Sequence, residues 1–368
     1  MKKRVLFVQN RISFGGTSSL IMFITKNLSN EYVFDLLCYE SGNEQLESEF
    51  VKYGGVIYRD NKLHCKNNFL GKIKLYFMRL FNVIEKRALK QLKNNSYYAI
   101  HCFEEFLGSY YLKAAYKAKV EKRIINFCND QTTKRKLNFI SKRLLNKEVK
   151  IINKYATDIV CDSSKSFSSL LDINKKVMIM DPIDGKFSYS DKVIEGPSLI
   201  QVGTICDNKN QLFSLDVINF LINKYNLKNC SLKYVGPSYD YDYRLKLENQ
   251  IKQYGLSEKV SILPATSELQ KFFHESSFLI FPSKKESFGM VLIEAQACGL
   301  HCFSSFAADQ QTNLGAVSYL ELENGPEAWS KFIFEFYSKN GCMREKCDLG
   351  KHNSEYVESE FRKLYEIK

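Results

Sequence analysis

The chain has 368 residues, which is too long for one ordinary hydrophobic core and indicates two domains. With 45% hydrophobic and 14% aromatic residues it can bury two cores, which argues against a disordered protein. The net charge of +12 is uneven, since residues 1–185 carry 32 Lys and Arg against 18 Asp and Glu, whereas residues 186–368 carry 21 against 23. We therefore expect the N-terminal half to meet an anionic partner. Charge alone leaves nucleic acid, lipid headgroups and a pyrophosphate-linked substrate open.

The N-terminal stretch MKKRVLFVQN has too short an apolar run for a signal peptide. No run approaches the roughly 18 apolar residues of a membrane span, so we expect a cytoplasmic protein. The eleven scattered cysteines fit a reducing compartment, where they act as small buried hydrophobes. Cys298 and Cys302 lack a second ligand pair, so we expect no zinc site.

Short strands and helices alternate along the first half of the chain. We predict, in order, a strand over 4–9, a glycine-rich turn, a helix over 17–29, a strand over 33–39, a helix over 44–53 and a strand over 56–58. This β-α-β-α-β order predicts a parallel sheet covered by helices.

Residues 69–93 show a helical period throughout, which predicts one long amphipathic helix. Most of its basic residues lie off the apolar stripe, which consists of Leu70, Ile73, Phe77, Leu80, Phe81, Ile84, Ala88 and Leu92. Two interpretations remain open. The helix packs on the sheet as an ordinary surface helix, or it lies on an anionic membrane as a basic amphipathic helix.

From residue 198 the alternation of strands and helices restarts, which predicts a second doubly wound α/β domain. We expect domains over 1–185 and 186–345, followed by a helical segment over 346–368 that crosses back to the first domain. Ligands bind at the carboxyl ends of the strands in such sheets, so we expect a cleft in which the two edges face each other.

The stretch PSKKESFGMVLIEAQACG follows a predicted buried strand and opens a helix. The free amides at this helix start, together with the helix dipole, form an anion site suited to phosphate, and Gly289 permits close approach of a ligand. Glu286 precedes the helix and Glu294 lies on it, four residues after Met290. Carboxylates accept hydrogen bonds from hydroxyl pairs, so the pattern predicts a diphosphate at the helix start, with ribose on Glu294 and a sugar on Glu286.

This stretch resembles the motif P-S-x-x-E-G-F-G-x-x-x-x-E-A-x-A-x-G of glycosyltransferase family 4, which are retaining enzymes with the GT-B fold. Ser287 stands where glycine is usual. ISFGGTSSLIM resembles the N-terminal Gly-Gly loop of that family, and VGTICDNKNQ resembles its V-G-R-x-x-x-x-K motif with Thr204 in place of the arginine.

The resemblance implies an α/β protein of the GT-B fold, in which two Rossmann-like doubly wound domains face a central cleft. It implies an acceptor-side domain over 1–185, a donor domain over 186–345, and no required metal or cofactor. Glu286 becomes the catalytic residue that orients the donor sugar. The implied donor-binding residues are Gly15, Gly16, Gly203, Lys209, Ser287, Phe288, Gly289, Met290, Val291 and Glu294. Three residues are candidates on the acceptor side, namely His101, Asn126 and Cys128, although His101 also fits a packed core position.

The implied activity is that of a retaining hexosyltransferase, which moves a sugar from a nucleotide diphosphate sugar, with a UDP-sugar favoured, to a glycan or a polyprenyl-diphosphate-linked acceptor in surface polysaccharide synthesis. The basic first domain predicts peripheral association with the anionic inner face of a membrane, whereas no motif supports nucleic-acid binding. Two alternatives stay open. One is a weak or inactive partner subunit, suggested by Thr204 and Cys128, and the other is a GT-B nucleotide-sugar epimerase.

Overall fold

The computed structural model describes residues 2–13, 15–53, 55–63, 69–127, 139–162, 171–192, 194–286 and 288–366. The chain divides into two compact units. The first comprises Met1–Pro182 with Lys351–Lys368, and the second comprises Ile183–Gly350. In the described part, no helix is long and apolar enough to cross a membrane.

The first unit contains a seven-stranded parallel sheet in the order β3-β2-β1-β4-β5-β6-β7. Its strands are β1 Lys3–Val8, β2 Tyr32–Cys38, β3 Ile57–Arg59, β4 Ala99–Cys102, β5 Lys122–Phe127, β6 Asp158–Cys161 and β7 Lys176–Met178. The chain winds outward from β1 to β3 and returns beside β1 as β4. The strand order therefore reverses between β1 and β4.

Helices cover both faces of this sheet, because its buried strands carry apolar side chains on both sides. They are α1 Gly16–Leu28, α2 Glu44–Lys52, α3 Phe69–Leu80, α4 Val83–Lys93, α5 Glu105–Lys117, α6 Phe139–Tyr155 and α12 Ser354–Tyr365. On β1, Leu6 and Val8 join the core that includes α4 and α5, whereas Val5 and Phe7 join the core that includes α1 and α12. The C-terminal helix thus completes the first unit, with Phe361 and Tyr365 fully buried.

The prediction of one helix over 69–93 is wrong. The chain forms two helices, α3 and α4, separated at Asn82, which has a left-handed backbone with φ of 54°. Asparagine tolerates this conformation better than most residues. Only α4 packs as the sheet-covering interpretation expects, since Ile84, Ala88 and Leu92 are buried.

The second unit contains a six-stranded parallel sheet in the order β10-β9-β8-β11-β12-β13. Its elements are β8 Ser198–Val202, α7 Gln211–Asn223, β9 Ser231–Val235, α8 Tyr241–Gln253, β10 Val260–Leu263, α9 Leu269–His274, β11 Phe278–Phe281, α10 Met290–Ala297, β12 His301–Ser305, β13 Val317–Leu320 and α11 Gly325–Asn340. The predicted fold class, two doubly wound parallel-sheet domains, is confirmed. The strand order here reverses between β8 and β11.

Candidate functional site

The carboxyl ends of β8 and β11 mark the point where the second sheet changes direction. The two strands pair in parallel, with Phe278 opposite Leu199. Their carboxyl ends therefore lead into neighbouring loops, one containing Lys209 and the other containing Glu286. Ligands of open α/β sheets bind at such a point, so the strand order itself directs attention to these two loops.

Lys209 and Glu286 contact each other, although 77 residues separate them in the chain. The Lys209 Nζ forms an ion pair with Glu286 Oε2, and the same Nζ lies 5.0 Å from the ring centroid of Phe281 at the end of β11. The Gln201 amide donates to the Lys209 carbonyl at 2.6 Å, which anchors the turn that carries the lysine. Both charged side chains stay partly accessible, at 20% and 17% exposure, so a ligand can reach them.

Hydrogen bonds join the two loops that carry this ion pair. The Lys284 backbone N–H donates to the Asn208 carbonyl at 2.8 Å, and the Asn208 side chain donates to the Lys285 carbonyl at 2.9 Å. The Asn210 side chain donates to the Pro282 carbonyl at 3.2 Å. These bonds hold the Lys209 and Glu286 backbones in a fixed relation before any ligand binds.

Glycines allow the loops after β8 and β9 to approach closely. A Cβ at Gly236 would lie 2.1 Å from the Gly203 carbonyl oxygen, which is far inside contact distance. Gly203 has φ of +142°, and a Cβ there would lie 3.3 Å from the Lys209 Cε. The Lys209 side chain therefore packs against Gly203. A larger residue at Gly203 would push the lysine side chain away, and one at Gly236 would push the Gly203 backbone away.

The start of α10 has a glycine at its cap position. Gly289 has φ of +107°, where glycine is favoured, and it offers no side chain of its own to cap the helix. Phe288 is buried, and its carbonyl accepts from the Asp309 N–H at 3.0 Å, which fixes the approach of the chain to the helix. The amides of Met290 and Val291 open the helix and can meet an anion. Ser287 lies outside the described residues.

Glu294 lies one turn into α10 and is half-buried. Burial raises the pKa of its carboxyl group to about 7, Lys186 opposes that shift, and Asp184 adds to it. This carboxyl group therefore changes charge in the neutral pH range. A hydroxyl pair of a ligand would satisfy it, because hydrogen bonds to a carboxylate stabilise its charged form.

In the first sheet the strand order reverses between β1 and β4, as it does between β8 and β11 in the second. Gly15 and Gly16 are exposed at the start of α1, and Gly15 has φ of +153°. Glu104 follows β4, and its Oε1 accepts a hydrogen bond at 2.7 Å from the N–H of Asn10, which follows β1. Burial raises the pKa of Glu104. The sequence analysis missed Glu104, although an acidic pair directly after the buried strand AIHC is a readable signal.

A second carboxyl group lies near the start of α1. A Cβ at Gly16 would lie 3.9 Å from Asp181 Oδ2. Burial raises the pKa of Asp181 to about 8, and the neighbouring Asp162 adds to the shift. The Asp181 carbonyl lies 2.9 Å from His352 Nδ1, which positions the residue.

The acceptor-side candidates lie inside the first unit. His101 is fully buried, with Nδ1 2.7 Å from the Tyr365 hydroxyl and Nε2 2.7 Å from the Asn126 Oδ1. Burial lowers the pKa of His101 to about 4, so the ring is neutral at physiological pH. This environment matches the packed core interpretation of His101. Asn126 is buried as well, and Cys128 lies outside the described residues.

Within the part of the chain that the structure describes, no group of three His, Cys, Asp or Glu side chains is arranged to hold a metal ion. Cys298 and Cys302 are both buried and free. Each belongs to the apolar interior around α10 and β12.

The two doubly wound units define the class of fold, and solved structures of GT-B proteins share it. Anabaena HepE in complex with UDP superimposes with a TM-score of 0.74 at 13% identity, covering 99% of each chain. HepE has also been solved in complex with UDP-glucose, where the TM-score is 0.67. The fold is therefore GT-B.

Sequence comparisons identify proteins related to this chain. Residues 190–309 match the family model described as glycosyl transferases group 1. The chain is 25% identical over 348 residues to the capsular polysaccharide biosynthesis glycosyltransferase CapH of Staphylococcus aureus, covering 91% of each chain. It is 24% identical over 354 residues to the putative glycosyltransferase EpsF of Bacillus subtilis, covering 90% of this chain and 87% of EpsF. Within a chain of the GT-B fold, residues 190–309 are thus similar to the group 1 glycosyltransferases, and the relatives that match nearly the whole chain carry glycosyltransferase names.

Proposed function

We propose that the protein transfers a sugar from a UDP-sugar to a hydroxyl of a glycan or lipid-linked acceptor, with retention of the anomeric configuration, in the synthesis of a surface polysaccharide. The observation that carries this proposal is the contact of Lys209 with Glu286 beside the start of α10, where Gly289 occupies the cap position. The similarity to CapH supports the polysaccharide setting. The UDP and UDP-glucose complexes of HepE support the choice of donor.

In this proposal the donor diphosphate binds Lys209 in place of Glu286. Phosphate oxygens bind Lys209 and the first amides of α10. Hydrogen bonds between ionised groups are stronger than those between neutral groups, and the N-termini of helices attract anions. Glu286 is then released to accept hydrogen bonds from hydroxyl groups of the donor sugar. Glu294 receives the ribose hydroxyls. These contacts hold the sugar in place while the charge that develops on the leaving diphosphate is stabilised.

Thr204 occupies the place where the resembled family carries an arginine. Loss of one charge-assisted hydrogen bond weakens donor binding by roughly 1.5–3 kcal/mol. In our proposal Lys209 and the helix start supply the remaining stabilisation of the diphosphate, and no metal takes part.

We assign the acceptor to the carboxyl edge of the first sheet. Gly15 and Gly16, which the resemblance implies at the donor diphosphate, also leave the start of α1 open to an acceptor, and Glu104 and Asp181 place carboxyl groups at that edge. Carboxyl oxygens accept hydrogen bonds from the hydroxyl groups of a glycan, so this edge suits a sugar acceptor.

Thermal unfolding in the presence of UDP, GDP, ADP or CMP tests the donor site. We expect UDP to raise the unfolding midpoint of the wild type, because a ligand at a hundred times its Kd stabilises by about 2.7 kcal/mol. Glu294→Ala should reduce that shift, whereas the matched control Glu323→Ala, at an exposed glutamate of the same unit, should retain it. Absence of a shift with every nucleotide would overturn the donor assignment.

Thr204 favours one second candidate, a weak or inactive partner subunit of another transferase. Such a protein would bind UDP without releasing it from any UDP-sugar, and Glu286→Ala would leave its role intact. A GT-B epimerase is the other alternative. It would convert the sugar of its donor without an acceptor, so analysis of the sugar product separates it from a transferase.

A further inference from the structure

The face of α3 that carries its apolar stripe points to solvent. Met78 is buried, while Leu70 is 73% exposed, Phe77 is 50% exposed and Phe81, one residue beyond the helix, is 61% exposed. The other exposed members of the stripe are Ile73 and Leu80, and Tyr76 beside them is exposed as well. The Phe77 and Phe81 rings stack on each other, with centroids 6.1 Å apart and planes 4° apart. Contiguous exposed apolar surface of this kind marks an interaction site.

The stripe cannot turn inward, because the opposite side of α3 is tied to the rest of the unit. The Arg79 Nε donates to Glu148 Oε1 of α6 at 2.7 Å, and the Glu148 side chain is fully buried. Lys147 donates to the Arg79 carbonyl at 3.5 Å. The break at Asn82 then lets α4 pack on the sheet while α3 keeps its apolar face outside.

The part of the chain that contains α3 is strongly basic. Residues 62–154 contain 22 Lys and Arg against 6 Asp and Glu. Two of these acids, Glu85 and Glu148, are buried in ion pairs with basic partners, so their charge does not offset the exposed lysines. The α3 sequence itself contains Lys72, Lys74 and Arg79 and no acidic residue, and Lys74 is exposed.

We propose that the outer face of α3 docks on an anionic lipid bilayer. An amphipathic helix of this composition lies at the interface with its apolar face about 5–10 Å into the headgroup and acyl boundary. Basic residues near that surface add attraction to anionic headgroups that salt weakens. The proposal concerns a different surface from the donor site and does not rest on the proposed function.

The same features disfavour a second copy of the chain as the occupant. The exposed parts of the stripe amount to roughly 500 Å², judged from the size of aromatic side chains, whereas a standard interface buries about 800 Å² on each partner. A symmetric contact would also bring together two copies of α3, whose sequence contains basic residues and no acidic one. Three of the six exposed side chains, Leu70, Ile73 and Leu80, are aliphatic, which suits acyl chains better than the stacked bases of single-stranded nucleic acid.

Flotation with lipid vesicles tests the proposal, using phosphatidylcholine alone or with about 30 mol% phosphatidylglycerol as the anionic lipid. We expect the full chain to bind the anionic vesicles, and Phe77→Ser combined with Phe81→Ser to weaken binding at least about tenfold, because each phenylalanine contributes apolar burial. Raising NaCl from about 0.05 to 0.5 M should weaken wild-type binding as well. Leu70→Ser provides an independent variant on the same face.

The matched control is Tyr239→Ser combined with Tyr241→Ser, which removes two aromatic side chains that are 85% and 75% exposed in the other unit. This control should bind vesicles as the wild type does. Circular dichroism and the unfolding midpoint verify that each variant folds. The proposal is overturned if the wild type ignores anionic vesicles, if both α3 variants bind like the wild type, or if the wild type is a dimer that the α3 variants dissociate.

Discussion

Replacing Glu294 by glutamine should stabilise the protein above neutral pH and leave its stability unchanged in acid. Burial raises the pKa of this carboxyl group to about 7, whereas an unfolded glutamate titrates near about 4.3. Because the folded pKa is the higher one, ionisation of Glu294 lowers the free energy of unfolding as the pH rises from the unfolded value through about 7. Glutamine keeps the shape and removes that cost.

The size of the effect follows from the shift in pKa. Raising the pKa from about 4.3 to about 7, at about 1.4 kcal/mol per pH unit, corresponds to roughly 4 kcal/mol. Since the side chain is only half-buried, we expect about 1–3 kcal/mol at pH values near 8.5. For a unit of this size, that corresponds to an increase in the unfolding midpoint of about 3–8 °C.

Calorimetry of wild type and Glu294→Gln at about pH 4, below the unfolded pKa, and at about pH 8.5 measures the effect directly. The control Glu323→Gln, at an exposed position of the same unit, should leave the midpoint unchanged at both pH values. The reasoning is refuted if Glu294→Gln is no more stable than the wild type at the higher pH. We also expect this stabilised variant to bind UDP more weakly, since functional carboxylates are commonly held at a cost in stability.

Three further predictions concern the supporting structure. The Arg344 guanidinium donates to five backbone carbonyls, so Arg344→Met should lower the free energy of unfolding by about 2–4 kcal/mol in a urea titration, and an unchanged midpoint would contradict this. Gly236→Ala places a Cβ against the Gly203 carbonyl and should weaken UDP binding about tenfold by calorimetric titration, whereas wild-type affinity would show that the loops yield. Tyr365→Phe removes a hydrogen-bond partner of His101 and should cost about 1–2 kcal/mol without changing turnover; loss of turnover in the folded variant would indicate a catalytic role for His101.

The strands and helices were readable from the sequence where burial is complete. The stretch FLIF forms β11 with every residue buried, and apolar runs bounded by polar turns locate such strands to within a residue or two. β13, with four half-buried residues, and the following α11 were not predicted. A short strand with no strong apolar pattern gives little signal of its own.

The break between α3 and α4 shows a different limit. The helical period of apolar residues runs across 69–93 without interruption, so the pattern predicts a single helix. The left-handed backbone at Asn82 redirects the chain at one residue. A periodic pattern reports which residues share a helix face and does not report where that face points after such a turn.

At the candidate site, the motif located Glu286 and Lys209 as separate donor-binding residues. Their contact depends on the reversal of strand order between β8 and β11, which no local pattern of residues encodes. Glu104 was missed although the acidic pair after the strand AIHC is a local signal, but its bond to Asn10 exists only once β4 lies beside β1. The sequence therefore predicts which residues bind the ligand, and the topology of the sheet determines which of them lie next to each other.

The most direct test of the central claim is the release of UDP from a panel of UDP-sugars in the presence of glycan and lipid-linked acceptors, with the configuration of the glycosidic product followed by proton NMR. We predict that the wild type releases UDP from at least one UDP-sugar with retention, and that Glu286→Gln reduces release at least about a hundredfold while the protein still binds UDP. Equal release by Glu286→Gln would contradict the role of that carboxylate. Binding of UDP without release from any UDP-sugar in the presence of these acceptors would contradict catalysis and favour a non-catalytic partner subunit.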